Sequence, residues 1–268
     1  MIGVFDSGFG GLTVHKALLE ALPKTDFVYL GDNRNAPYGT RPPLDVLTLT
    51  CVGVERLFAQ GCQLVIIACN TASTVALHWI QDDWLPMQQR NDGIKRNVIG
   101  IVAPTIEAAV ANNPETIGIF CTERTALTET YPSEIKKRLP DARVYQQACP
   151  ELVRLIETGA ADVDMRPLVE KYVAELHEQM GRTWPDRVIL GCTHYALIRH
   201  LFTEALPKDI TILDQQDMVG KATAIYMKNH PEYPSIESGK HRYLSTGTTP
   251  EALKFAERIM GKVTVENV

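Results

Sequence analysis

The chain is 268 residues long, 45% hydrophobic and 22% charged, the composition of a soluble globular protein able to bury a substantial core in one large domain or two ordinary ones. A formal net charge of −5 and a pI near 5.8 exclude a broad electrostatic grip on nucleic acid or an anionic membrane, and point to a small-molecule partner. The chain opens almost directly on a strand and holds no run of about 18 apolar residues, so a cytoplasmic protein without a membrane span is expected.

The first strand-like run, Ile2–Phe5, ends at Asp6 in FDSGFGGLT and leads into a helix over Leu12–Leu22, with Val14, Leu18 and Leu22 spaced by four. A glycine-rich strand–helix turn can cradle a phosphate, but this one lacks G-x-x-x-x-G-K-S/T and carries the acidic Asp6 at its mouth. Phe27–Leu30 is next and ends at Asp32. The following GDNRNAPYGT offers the backbone of Pro37, Tyr38 and Gly39 at the rim, with Tyr38 equally readable as a turn aromatic. Leu64–Ala68 ends at Cys69, followed by the small polar Asn70, Thr71 and Ser73.

The polar segment 88–97, QQRNDGIKRN, has no periodicity and marks a boundary. Beyond it come strands at Val98–Val102, Thr116–Phe120 and Ala142–Gln146, a helix over Val163–Met180, then strands at Val188–Leu190, Ile210–Leu213 and, more weakly, near Tyr243. Gly61 and Pro140 punctuate helix ends. Thr122 and Thr125 follow one strand end, and Cys192, Thr193 and His194 another.

The halves echo each other: IGVFDS with IGIFCT, VYLGD with RVYQQACP, and LVIIACNTAS with RVILGCTHYA. Strand–helix alternation repeated twice predicts an α/β protein of two pseudo-symmetric, doubly wound parallel-sheet domains with the active site in the cleft between them. The expected division is 1–97 plus 207–268 for the first domain and 98–206 for the second.

A cysteine in an apolar run is ordinarily a packing residue, and Cys51, Cys62, Cys121 and Cys149 are read so. With no C-x-x-C pair, neither a structural zinc site nor a disulfide framework is indicated. Cys69 and Cys192 differ, because both stand where a strand breaks into a helix, whose N-terminus favours thiolate. Two thiols on opposite faces of one ligand can take a proton from carbon and return it from the other side. His194, two residues after Cys192, can set that sulfur's charge state. Hydroxyls and amides at the rim suit a carboxylate.

FDSGFGGLT, GDNRNAPYGT, ACNTAS, ACPELVRLIE and LGCTHY, in that order from Asp6 to Tyr195, resemble the motifs of the glutamate racemase family, cofactor-independent enzymes that supply D-glutamate for bacterial peptidoglycan. The resemblance implies glutamate as substrate, no cofactor and no metal, and Cys69 and Cys192 as the two acid/base residues, assisted by Asp6 and His194. It also implies that Ser7, Tyr38, Gly39, Asn70, Thr71, Thr125 and Thr193 bind substrate, and Glu157 matches a family acidic residue near the site; Asp6, Pro37, Thr122, Glu157 and His194 are counted with them as expected substrate contacts. Homodimers are frequent in the family, though no residue marks an interface. The chain lacks the N-terminal extension of members activated by a peptidoglycan precursor, so no such activation is expected. Cys121 stands where the family has glycine and Ala196 where it has proline, and IVAPT departs from a Pro-Gly ending.

The nearest rival is a racemase of aspartate, whose relatives carry an acidic residue where His194 stands. A cysteine phosphatase would need arginine where Val75 or Ile198 stands. A Cys–His hydrolase would use one cysteine, and an amino-acid-binding protein would bind without exchanging the α hydrogen.

Overall fold

The computed structural model describes residues 1–233 and 236–268. The strands are β1 Ile2–Asp6, β2 Phe27–Gly31, β3 Leu64–Ile67, β4 Asn97–Gly100, β5 Thr116–Cys121, β6 Arg143–Ala148, β7 Arg187–Gly191, β8 Thr211–Leu213, β9 His241–Ser245 and β10 Val265–Asn267. The helices are α1 Leu12–Ala21, α2 Pro43–Ala59, α3 Asn70–Trp79, α4 Leu85–Asp92, α5 Val102–Val110, α6 Glu123–Leu127, α7 Thr130–Arg138, α8 Leu152–Thr158, α9 Asp162–Gln179, α10 Arg199–Ala205, α11 Gln216–Asn229 and α12 Pro250–Met260.

Two parallel sheets result. The first runs β10-β9-β2-β1-β3-β4 and the second β6-β5-β7-β8. The central strands β1, β2, β3, β5 and most of β7 are buried end to end, as their richness in Val, Ile, Leu and Phe demands of strands covered on both faces. The order 2-1-3-4 in one sheet is repeated as 6-5-7-8 in the other, and the repeated sequence segments fall on equivalent strands. The duplication read from the sequence is therefore a duplication of topology, and the fold is the expected pair of α/β lobes.

Sheet membership does not follow the expected division at every strand. β4 pairs with β3 as the edge of the first sheet, and β8 pairs with β7 in the second. The chain thus crosses after β4 and again after β8, not at 97/98 and 206/207. The segment 88–97 is polar because it contains the exposed last turns of α4 and a short lead into an edge strand, not because it joins lobes. The weakly signalled strand near Tyr243 is β9, which pairs with β2. β10, with its exposed Glu266 and Asn267, carried no apolar signal to find.

One apolar cluster joins the lobes. Phe9, Val14 and Leu18 beside β1 share it with Phe120, Tyr195 and Phe202 of the second lobe and Phe255 of α12. Cys62, Cys121 and Cys149 are buried and Cys51 is half-buried on α2. Among the described residues no helix is long and apolar enough to cross a membrane.

Candidate active site

In each sheet the strand order reverses between the first strand and the one that follows the crossover, β1 with β3 and β5 with β7, and the carboxyl ends at such a switch point form a crevice. Here the two crevices face each other. Asp6 ends β1, Cys69 follows β3, Thr122 follows β5 and Cys192 follows β7.

Cys69 caps α3. Its sulfur accepts from the Ala72 amide at 3.4 Å and its thiol donates to Ser7 Oγ at 3.5 Å. A helix start was expected to favour thiolate, yet burial first and the Asp6 carboxylate next outweigh the Ser7 and Ala72 hydrogen bonds and push Cys69 up to about 12. The sulfur rests as a thiol. Asp6 is fully buried, its Oδ1 accepts from the Gly8 amide at 3.0 Å, and its Oδ2 has no partner among the described residues. Burial lifts Asp6 to about 6, against the pull of His194 and of the Gly8 and Gly11 amides. Above that pH an ionised carboxylate stands near a neutral thiol.

The glycine turn is shaped around side chains. A Cβ on Gly10 would lie 2.3 Å from His194 Cε1, and one on Gly11 2.6 Å from Asp6 Cβ. Asp6 and His194 fill the space over the turn, which leaves no open cradle for a phosphate.

Cys192 departs from its counterpart. No α-helix starts behind it, because residues 192–194 turn into a 3-10 segment, Tyr195–Ile198, and α10 begins only at Arg199. In place of a helix amide the sulfur has His194 Nδ1 at 3.7 Å, and His194 Nε2 is 2.9 Å from Glu157 Oε1 on α8. Burial opposes charge on His194, but the hydrogen bonds and charges of Cys192 and Glu157 overcome it and hold the imidazole well above its ordinary value. The ring stacks on Phe255 at 5.6 Å between centroids.

Apart from His194 and Glu157, the rim is made of uncharged groups. Thr71, Thr122 and Thr125 bring three hydroxyls together across the lobes, with Thr71 Oγ1 3.0 Å from Thr122 Oγ1 and 3.3 Å from Thr125 Oγ1. A Cβ on Gly39 would lie 2.9 Å from Thr122 Cβ, so glycine there permits the lobes' close approach. The Tyr38 hydroxyl is already committed, donating to Asp32 Oδ2 at 2.6 Å, which leaves its ring and the neighbouring backbone for a ligand. Thr193 lies beside Cys192 with its carbonyl 3.3 Å from Thr13 Oγ1.

Ser7, Pro37, Tyr38, Gly39, Cys69, Asn70, Thr71, Thr122, Glu157, Cys192, Thr193 and His194 all line one cavity of about 20 Å3. Of the residues singled out in the sequence as substrate contacts, Asp6 and Thr125 do not reach this wall. Ala36 and Val153 complete the wall and were missed, since an alanine in a loop and a valine in a helix carry no chemical signal. Asp32, anchor of Tyr38 and acceptor of Thr246 Oγ1 at 2.6 Å, was missed as well, although its place at a strand end could have marked it. Among the described residues no three His, Cys, Asp or Glu side chains group as metal ligands would.

A model of the Asp/Glu/Hydantoin racemase family matches residues 2–223. A glutamate racemase of Phenylobacterium zucineum (strain HLK1) is 46% identical over 260 residues, 92% of each chain. Among solved structures, a glutamate racemase isoform from Bacillus anthracis superposes with a TM-score of 0.84 at 27% identity, covering 100% of this chain and 97% of that one. The glutamate racemase of Francisella tularensis subsp. tularensis SCHU S4, solved in complex with D-glutamate, gives 0.83 at 27% identity, with 100% and 96% covered.

Proposed function

The chain belongs to the Asp/Glu/hydantoin racemase family, among its glutamate racemases, and is an isomerase; from that premise we propose that it interconverts L- and D-glutamate by moving a proton at Cα between Cys69 and Cys192, without a cofactor. One sulfur, as thiolate, takes the Cα hydrogen as a proton from one face. The electron pair left behind is delocalised into the α-carboxylate, and the thiol of the other sulfur delivers a proton to the opposite face. The product is the mirror image, and the sulfurs have exchanged protonation states. Asp6 serves Cys69 and His194 serves Cys192 in restoring them. Donors on Ser7, Asn70, Thr71, Thr122 and Thr193 and the backbone at 37–39 hold the carboxylates and stabilise the charge that builds during proton removal. The D-glutamate so made, in the cytoplasm, supplies peptidoglycan synthesis.

The observation that carries this reading is that two thiols from opposite lobes, each with its own acid/base neighbour, line a single narrow cavity. The test is racemisation of L-glutamate in D2O. D-glutamate should emerge with deuterium at Cα, and unlabelled product would refute proton exchange. Cys69→Ser and Cys192→Ser should each lower racemisation by about 100-fold or more, and survival of full activity in either would remove that sulfur from the reaction. Aspartate offered in parallel should turn over far more slowly; equal rates would favour the aspartate-type reading.

A further inference from the structure

Asn70, in the first turn of α3, lines the cleft. Behind it, Asn70 Oδ1 receives two hydrogen bonds: from the Tyr131 hydroxyl on α7 at 2.6 Å, and from Gln215 Nε2, just ahead of α11, at 3.3 Å. All three residues are buried, at 2%, 0% and 1% exposure respectively. Asn70 Nδ2, by contrast, is buried with no partner among the described residues. A buried N–H group left unpaired is destabilising, so this one calls for an acceptor. Neither Tyr131 nor Gln215 lines the cavity.

We propose that Tyr131 and Gln215 are positioning residues which, by occupying Asn70 Oδ1, lock the amide so that Nδ2 donates to a carboxylate of the substrate. A flipped amide would set its oxygen against a carboxylate oxygen, acceptor to acceptor. Burial also drives the Tyr131 phenol far above its ordinary value, so the hydroxyl remains a donor at every working pH. Asn70 stands on the first lobe and Tyr131 on the second, and Gln215 lies in the stretch between β8 and α11, the second crossing of the chain. The donor is therefore oriented only when the lobes come together, which couples closure to carboxylate recognition. The inference rests on the proposed function in one respect, that the cleft takes glutamate.

Steady-state kinetics on L-glutamate test it. Losing the donor weakens the grip on the carboxylate already in the ground state and so acts on KM, with a further loss in kcat where that carboxylate is the one on which charge builds. Tyr131→Phe and Gln215→Leu should each raise KM by about 5- to 30-fold. With Asn70→Ala already in place, Tyr131→Phe should change KM by less than about twofold, since it acts through Asn70. The proposal is overturned if both single variants keep KM within about twofold of the unmodified enzyme, or if the Tyr131→Phe effect persists undiminished on Asn70→Ala. If circular dichroism shows Tyr131→Phe unfolded, Gln215→Leu, alone and on Asn70→Ala, is read by the same criteria. An unmodified enzyme that fails to racemise glutamate refutes the proposed function instead, so the two failures are distinct.

Discussion

A carboxylate in a fully buried position, as at Asp6, is charged against the preference of the fold. Its value rises from 3.8 to about 6, and about two units correspond to about 3 kcal/mol. Because the folded value lies above the unfolded one, the fold favours the protonated form. The penalty is absent below about pH 4, grows between about 4 and 6, and is complete above that. Asp6→Asn keeps the shape and the Oδ1 acceptor for Gly8 while removing the charge. It should raise the unfolding free energy at pH 7.5 by up to about 3 kcal/mol and leave it nearly unchanged at pH 4. Denaturation at the two pH values checks this, and a variant no more stable at pH 7.5 contradicts it. The same variant should slow racemisation by about 100-fold or more. For the unmodified enzyme, racemisation should fall as pH drops through about 6, when Asp6 takes its proton. The candidate residues were legible in the sequence as small polar groups and thiols at strand ends. Their orientations were not, and the Tyr38 hydroxyl, spent on Asp32, is the example.

At the scale of elements, the turn between β1 and α1 determines how closely the lobes can meet. Gly10 does not sit in the left-handed region, so what an added methyl touches decides its effect, and the nearest atom is His194 Cε1 at 2.3 Å. Gly10→Ala must displace the imidazole or part the lobes. A misplacement of about 1 Å costs about 100-fold in rate, against about 1–3 kcal/mol of overpacking. The expected outcome is a folded protein with kcat/KM down about 100-fold; full activity would mean that His194 yields freely. The strand–helix pattern after Cys69 and after Cys192 looked alike in the sequence. They part company because Tyr195 is buried, with its hydroxyl donating to the carbonyls of Cys149 at 3.0 Å and Cys121 at 3.4 Å. That anchor draws the chain into a 3-10 segment and leaves Cys192 to His194 in place of a helix amide. No local pattern records such a contact.

For the whole molecule, the cavity between the thiols, about 20 Å3, has room for about one water. That space is too small for glutamate, and we expect the lobes to separate and close again over it. Small-angle scattering should give a larger radius of gyration without ligand than with saturating D-glutamate, the closed form lying near the ~18 Å of a compact chain of this length. Equal radii in the two conditions would count against such a motion. Strand–helix alternation, the duplicated half and the placing of both thiols at strand ends were readable in contiguous residues, because apolar runs and the small polar residues that break them are local features. The assignment of β4 and β8 to their sheets, the convergence of Tyr131 and Gln215 on Asn70, and the raised values of Asp6, Cys69 and His194 were not. Those depend on burial and through-space contact between segments far apart in the chain, which exist only once the two sheets have packed face to face.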